Sequence, residues 1–167
     1  AGLNDRKVHF RNNASTFKTL TARADNGVTT DVNLTTTVGD LTVNSNTDNN
    51  TDGSPNEEKF LIANGVVIDA ENDLIIDAHS GGVYSTGVFT LQAGNDIDLN
   101  DGMNVGSGTS GELIIKANSD GAGGGSFDLE ASRTIVTNNN DITITASDLI
   151  LGGTLNAGNN TTTGGTV

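Results

Sequence analysis

Oxygen ligands are densest in one run, Asp96-Ile97-Asp98-Leu99-Asn100-Asp101-Gly102, which places three carboxylates and a carboxamide within six residues. Calcium is the ion that takes such groups, because it gathers about six to eight oxygens in a flexible shell. The spacing of a calcium loop is not met, however. Glycine arrives one place late, and Ser107 stands at the twelfth position, where a bidentate Glu is needed. Ile97 and Leu99 alternate with the polar residues, the pattern of a strand with one wet face. Asp96, Asp98, Asn100 and Asp101 are therefore expected on an acidic strand surface, with adventitious calcium the one metal they would attract and no cofactor required.

Other chemistry is thinner still. Gly123-Gly124-Gly125-Ser126-Phe127-Asp128 partly resembles a calcium-binding nonapeptide repeat, but it occurs once and has Ser126 where that repeat needs Gly. It reads as a loose turn before a strand. His9 and His79 are the two histidines and the chain has no Cys, so neither a zinc set nor a thiol nucleophile can be assembled from the usual ligands. No Gly-x-Ser-x-Gly elbow presents a serine nucleophile. No catalytic residue is expected.

The elements that would carry these residues follow from composition. Thr (23), Asn (22), Gly (22) and Asp (16) make up about half of the 167 residues, which favours strands and turns over helices. The net charge is -13, unevenly spread. In residues 1–23, Arg6, Lys7, Arg11, Lys18 and Arg23 stand against Asp5 alone, whereas the remainder is strongly acidic. An acidic body repels nucleic acid and anionic membranes. The longest apolar stretch, Phe60 to Ala63, is far short of the roughly 20 residues needed to span a bilayer.

A pattern of apolar-x-apolar-x-small recurs along the chain. It appears as Leu41-Thr42-Val43-Asn44-Ser45, Val66-Val67-Ile68-Asp69-Ala70, Leu74-Ile75-Ile76-Asp77-Ala78, Phe89-Thr90-Leu91-Gln92-Ala93, Leu113-Ile114-Ile115-Lys116-Ala117, Phe127-Asp128-Leu129-Glu130-Ala131 and Ile142-Thr143-Ile144-Thr145-Ala146. Each is a strand with one buried face. Taking the small residue as reference, positions 22, 45, 70, 93 and 117 step by 23, 25, 23 and 24 residues, which predicts a solenoid of about 23–25 residues per coil. Beyond 117 the spacing shortens, either because the register changes or because successive strands of one coil are being counted. The small residue belongs at a corner, where a bulky inward side chain would meet its neighbour. Asn26-Gly27, Asp52-Gly53, Asn64-Gly65, Gly81-Gly82, Asp101-Gly102 and Asp120-Gly121 supply turns.

Ser54-Pro55-Asn56-Glu57 has the form of a helix start, so a short helix within residues 55–63 competes with a strand at Phe60–Ile62. Residues 1–16 are expected as a basic arm or first strand, with Val8 and Phe10 alternating, ahead of a single solenoid domain over 17–167. Arg6, Lys7, Val8, Phe10 and Arg11 are the candidate assembly residues, through which the arm would meet the acidic body of a neighbouring copy and build a homo-oligomer or filament.

The repeats Val88-Phe89-Thr90-Leu91-Gln92-Ala93-Gly94-Asn95-Asp96-Ile97 and Asp141-Ile142-Thr143-Ile144-Thr145-Ala146, with Leu155-Asn156-Ala157-Gly158, resemble those of filamentous-haemagglutinin-type bacterial adhesins over residues 60–160. The resemblance implies a right-handed parallel β-helix, export to the cell surface, and a role in adhesion or matrix building, with surface glycan or matrix as partner. No match to that family's secretion domain is found in residues 1–60. A polysaccharide-binding or polysaccharide-degrading β-helix is the alternative. Residues 60–167 offer that chemistry only Lys116, Arg133 and Tyr84, too few bases and aromatic platforms for a polyuronate.

Overall fold

Short apolar alternations broken by Gly, Asn and Asp give strands throughout. The computed structural model describes residues 6–49, 57–106 and 111–158, which hold nineteen β-strands and no helix. The chain visits three sheets in rotation. Sheet A takes β1 (Val8–Phe10), β4 (Val28–Thr30), β7 (Phe60–Ile62), β10 (Val83–Ser85), β13 (Met103–Val105), β16 (Thr134–Val136) and β19 (Thr154–Asn156). Sheet B takes β2 (Ser15–Phe17), β5 (Leu34–Thr36), β8 (Val67–Ala70), β11 (Thr90–Ala93), β14 (Glu112–Lys116) and β17 (Asp141–Thr145). Sheet C takes β3 (Leu20–Arg23), β6 (Leu41–Asn44), β9 (Leu74–Asp77), β12 (Ile97–Leu99), β15 (Ser126–Leu129) and β18 (Asp148–Leu151). Strands pair in parallel with the equivalent strand of the next coil, giving a right-handed parallel β-helix of six coils and the first strand of a seventh.

Register makes the core a set of columns. In sheet C, Leu20, Leu41, Leu74, Ile97, Phe127 and Leu149 stack in line, and the four inner members are fully buried. Each such side chain contributes about 1.5–3 kcal/mol by leaving water. The small closing residues do sit at a corner: Ala70, Ala93 and Ala117 follow one another at the end of sheet B, all buried. Asparagine serves the turns. Asn12, Asn49, Asn118, Asn138 and Asn139 take positive φ, a region Asn tolerates better than most residues.

Two expectations need correction. Residues 60–62 are strand β7, and no helix occurs among the described part of 55–63; Ser54, Pro55 and Asn56 lie outside the described residues, as do Asp52-Gly53 and Ser107. The coil length is also less even than 23–25. Along sheet A, Val8, Val28, Phe60, Val83, Met103, Ile135 and Leu155 occupy one column, at steps of 20, 32, 23, 20, 32 and 20 residues. Long connections between β6 and β7 and between β14 and β15 account for the large steps. Positions 22 and 45 belong to sheet C, whereas 70, 93 and 117 belong to sheet B, so the step of 25 crossed from one sheet to another. Beyond 117, Ala131, Ala146 and Ala157 follow strands of sheets C, B and A: different strands were being counted, not coils.

Candidate functional site

The residues singled out for calcium are built into the coil. Strand β12 buries Ile97 and Leu99 and turns Asp96, Asp98 and Asn100 outward, whereas Asp101 points back under the surface and is 4% exposed. Asp96 Oδ1 accepts hydrogen bonds from the Ser126 N–H (2.7 Å) and hydroxyl (2.9 Å) of the next coil. The same link repeats one and two coils earlier. Asp73 Oδ1 accepts from the Asp96 N–H (3.2 Å) and Asn95 Nδ2 (2.8 Å), and Asp40 Oδ1 from the Asp73 N–H (3.3 Å) and Asn72 Nδ2 (2.7 Å). Asp40, Asp73 and Asp96 thus form a carboxylate ladder that stitches coil to coil. Among the described residues no group of three or more His, Asp or Glu could hold a metal ion.

Asp98 sits in the outward column between Ile75 and Asp128. Partial burial, and then the charges of Asp96, Asp128 and Asp73, raise its pKa above the usual carboxylate value.

A groove of about 380 Å³ opens at the corner between sheets C and A, lined by His79, Tyr84, Asp101, Asn104 and Arg133 among others. Asp101 takes the corner slot that Ala24, Ser45 and Ala78 fill in earlier coils. Its Oδ1 accepts from the Gly102 N–H (2.7 Å) and from Arg133 Nη1 (3.1 Å), while Oδ2 makes no hydrogen bond of normal geometry. Burial raises the Asp101 pKa, opposed by the Gly102 N–H and the Arg133 charge. Arg133 also donates Nε to Glu130 (2.8 Å), which holds the guanidinium protonated. His79 lies 3.4 Å from Asp77, whereas His9 bonds Asp31 at 2.7 Å. The Lys59 ammonium covers the Tyr84 ring, 4.0 Å from its centroid. The groove is thus a corner in which Arg133 ties Asp101 to Glu130.

Among the described residues, the first and last coils have a neighbouring coil on one side only. At one end, Val8 and Phe10 belong to β1, which pairs with β4, and the boundary drawn after residue 16 falls inside β2. Phe10 and Phe17 meet edge to face at 6.2 Å and, with Val8 and Leu20, are only partly buried. Around this rim stand Arg6, Lys7, Arg11, Lys18 and Arg23 with Asp25 as the one acid over residues 6–26; Lys7 bonds Glu57 of its own chain at 2.7 Å. At the other end, residues 134–158 hold Asp141 and Asp148 and no Lys or Arg. There β18 leaves Leu149, Ile150 and Leu151 at 52%, 50% and 43% exposure. The repeat pattern did not single out β18. Its signal was an unbroken Leu-Ile-Leu in the last coil, where outward residues elsewhere are mostly polar.

No family model, curated protein or solved structure matches this chain.

Proposed function

We propose that this chain is a non-enzymatic structural and adhesive element of an extracellular fibre, surface layer or matrix, and that copies associate end to end. The observation that carries this reading is that, among the described residues, the first and last coils each have a neighbouring coil on one side only. Parallel sheets finish on strand edges with unpaired backbone groups, which are templates for another strand. Here those edges are bordered by apolar column ends, one rim basic and the other acidic, so unlike ends attract and like ends repel. A contact between two different surfaces that does not close gives an open filament. The likeness of its repeats to filamentous-haemagglutinin-type adhesins supports the exported, adhesive side of the reading, with a surface glycan or matrix as the outer partner.

Sedimentation velocity tests the association. The intact chain is expected to form oligomers that grow with concentration up to about 100 μM, while a variant with Leu149→Asp, Ile150→Asp and Leu151→Asp stays monomeric with unchanged β-sheet circular dichroism. A monomer at every concentration for the intact chain would overturn the end-to-end reading. Turnover of acidic or neutral polysaccharides by the purified protein would replace the structural role with an enzymatic one.

A further inference from the structure

Resting on the adhesive half of that reading, we infer that the groove at the corner between sheets C and A holds a neutral saccharide, with Tyr84 and Arg133 as its main contacts. Unequal corners make this groove. From a sheet C strand to the following sheet A strand the chain spends residues 78–82, then 100–102, then 130–133, so a short corner lies between two longer ones. His79 and its neighbours wall one side, Arg133 and Thr134 wall the other, and Asp101 and Gly102 lie between. The space of about 380 Å³ falls within the roughly 300–1,000 Å³ common for ligand pockets.

Asp101 breaks the rule of the repeat at this point. In register with it, Ala24, Ser45 and Ala78 fill the corner with small side chains, whereas Asp101 is buried and leaves Oδ2 without a hydrogen bond of normal geometry. A buried carboxylate oxygen in that state costs stability that Ala avoids, and such departures from a fold's own rule collect at functional sites. What Asp101 supplies is a hold on Arg133. Its Oδ1 accepts from Nη1 at 3.1 Å while Glu130 accepts from Nε at 2.8 Å, which fixes the guanidinium at the groove wall. Among the described residues no other group accepts from this guanidinium, so Nη2 keeps both N–H groups for a ligand.

Tyr84 stands on the outward face of sheet A, in register with Asn104 of the next coil, and both line the groove. The Lys59 ammonium comes from the preceding coil, lies over the ring and does not line the groove, so it steadies Tyr84 without filling the space. A sugar suits this lining. Its C–H groups pack on an aromatic ring, and its hydroxyls accept from Arg133 and exchange hydrogen bonds in either sense with Asn104 and Thr134. Charge selects the class. The two bases in the lining already face acids, Arg133 facing Asp101 and Glu130, and His79 facing Asp77, so a uronate, sulfate or phosphate would enter against net negative charge. A peptide strand finds no free edge in the groove, because β10, β13 and β16 are already paired with one another.

Tyr84 is the sole Tyr of a chain without Trp, so its emission reports on this groove alone. The intact chain is titrated with neutral tetrasaccharides of glucose, galactose, mannose and N-acetylglucosamine, and with tetragalacturonate, followed by calorimetry and by Tyr84 emission. At least one neutral probe is expected to bind with a Kd below about 1 mM, to change the emission with the same Kd, and to bind at least about tenfold more tightly than tetragalacturonate. Tyr84→Ala and Asn104→Ala, each checked for unchanged β-sheet circular dichroism, are expected to weaken that binding about tenfold, and Tyr84→Phe to weaken it much less. Tighter binding of tetragalacturonate would overturn the neutral class. Neutral binding that leaves the emission unmoved and survives both alanine substitutions would place the glycan elsewhere, which sinks the groove and leaves the adhesive reading standing. No binding of any probe in calorimetry would sink both the groove and the glycan partner of that reading.

Discussion

Asp98 and Asp101 are both carboxylates with raised pKa values, for different reasons and with different consequences. Asp98 faces outward among Asp96, Asp128 and Asp73, so its ionised form is disfavoured in the folded chain by partial burial and by those neighbours. A folded-state pKa above the unfolded value of about 3.9 means that the native protein binds the proton more tightly. Stability is therefore lost as pH rises through that window and regained in acid. Asp98→Asn is expected to raise the urea midpoint at pH 7, with the advantage over the parent shrinking as pH falls toward 4; an advantage that stays constant with pH would contradict the assignment. Asp101 instead depends on Arg133. Arg133→Met leaves the Asp101 carboxylate under the surface and is expected to cost about 1–3 kcal/mol. Adding Asp101→Ala should recover most of that loss, because Ala24 and Ala78 fill the same corner elsewhere. A double variant less stable than Arg133→Met alone, measured by the same denaturant titration, would refute this. The sequence showed Asp101 as one of four surface oxygens. The inward turn was hidden because Asp occupied a slot that the repeat otherwise reserves for Ala or Ser.

At the level of strands, the two-residue alternation made most elements readable, since an inward Leu, Ile, Val or Phe beside an outward Thr or Asp has only one way to face a core. Coil length was less readable. Sheets B and C use the same apolar-x-apolar-x-small pattern, and the connections after β6 and β14 add residues without adding strands, so a count by pattern slips from one sheet to the other. Of the short helix and the strand that compete for 55–63, the strand forms at Phe60–Ile62, because Phe60 and Ile62 are needed in the sheet A columns, between Val28 and Val83 and between Thr30 and Ser85. The alanine corner makes its own prediction. Ala93 lies between Ala70 and Ala117 and is fully buried, so Ala93→Leu must displace packed neighbours and is expected to cost about 1–3 kcal/mol. Thermal unfolding checks this, and a tolerated Leu would mean that the corner is roomier than the register implies.

Over the whole molecule, energy is distributed along one axis. Among the described residues each interior coil contacts two neighbours and is covered on both sides, and the first and last coils on one side only. This is why Leu149 and Leu151 are exposed while Leu74 and Ile97, equivalent to Leu149 in the column, are fully buried; Ile150 stands in the outward column of Asp98 and Asp128. Opposite rim charges should steer the ends together. Raising salt from about 0.05 to 0.5 M is expected to slow association several-fold, followed by light scattering, with little change in dissociation, since the apolar contact is not screened. Faster assembly at high salt would mean that like-charge repulsion governs the joint. The claim on which the account turns is that copies continue one another's coils. Electron microscopy of assembled material measures this most directly. Continuous stacking predicts an axial rise of about 30 Å per copy, the height of six coils at about 4.8 Å per coil. Filaments with a longer rise, side-by-side sheets, or isolated particles at high concentration would contradict it.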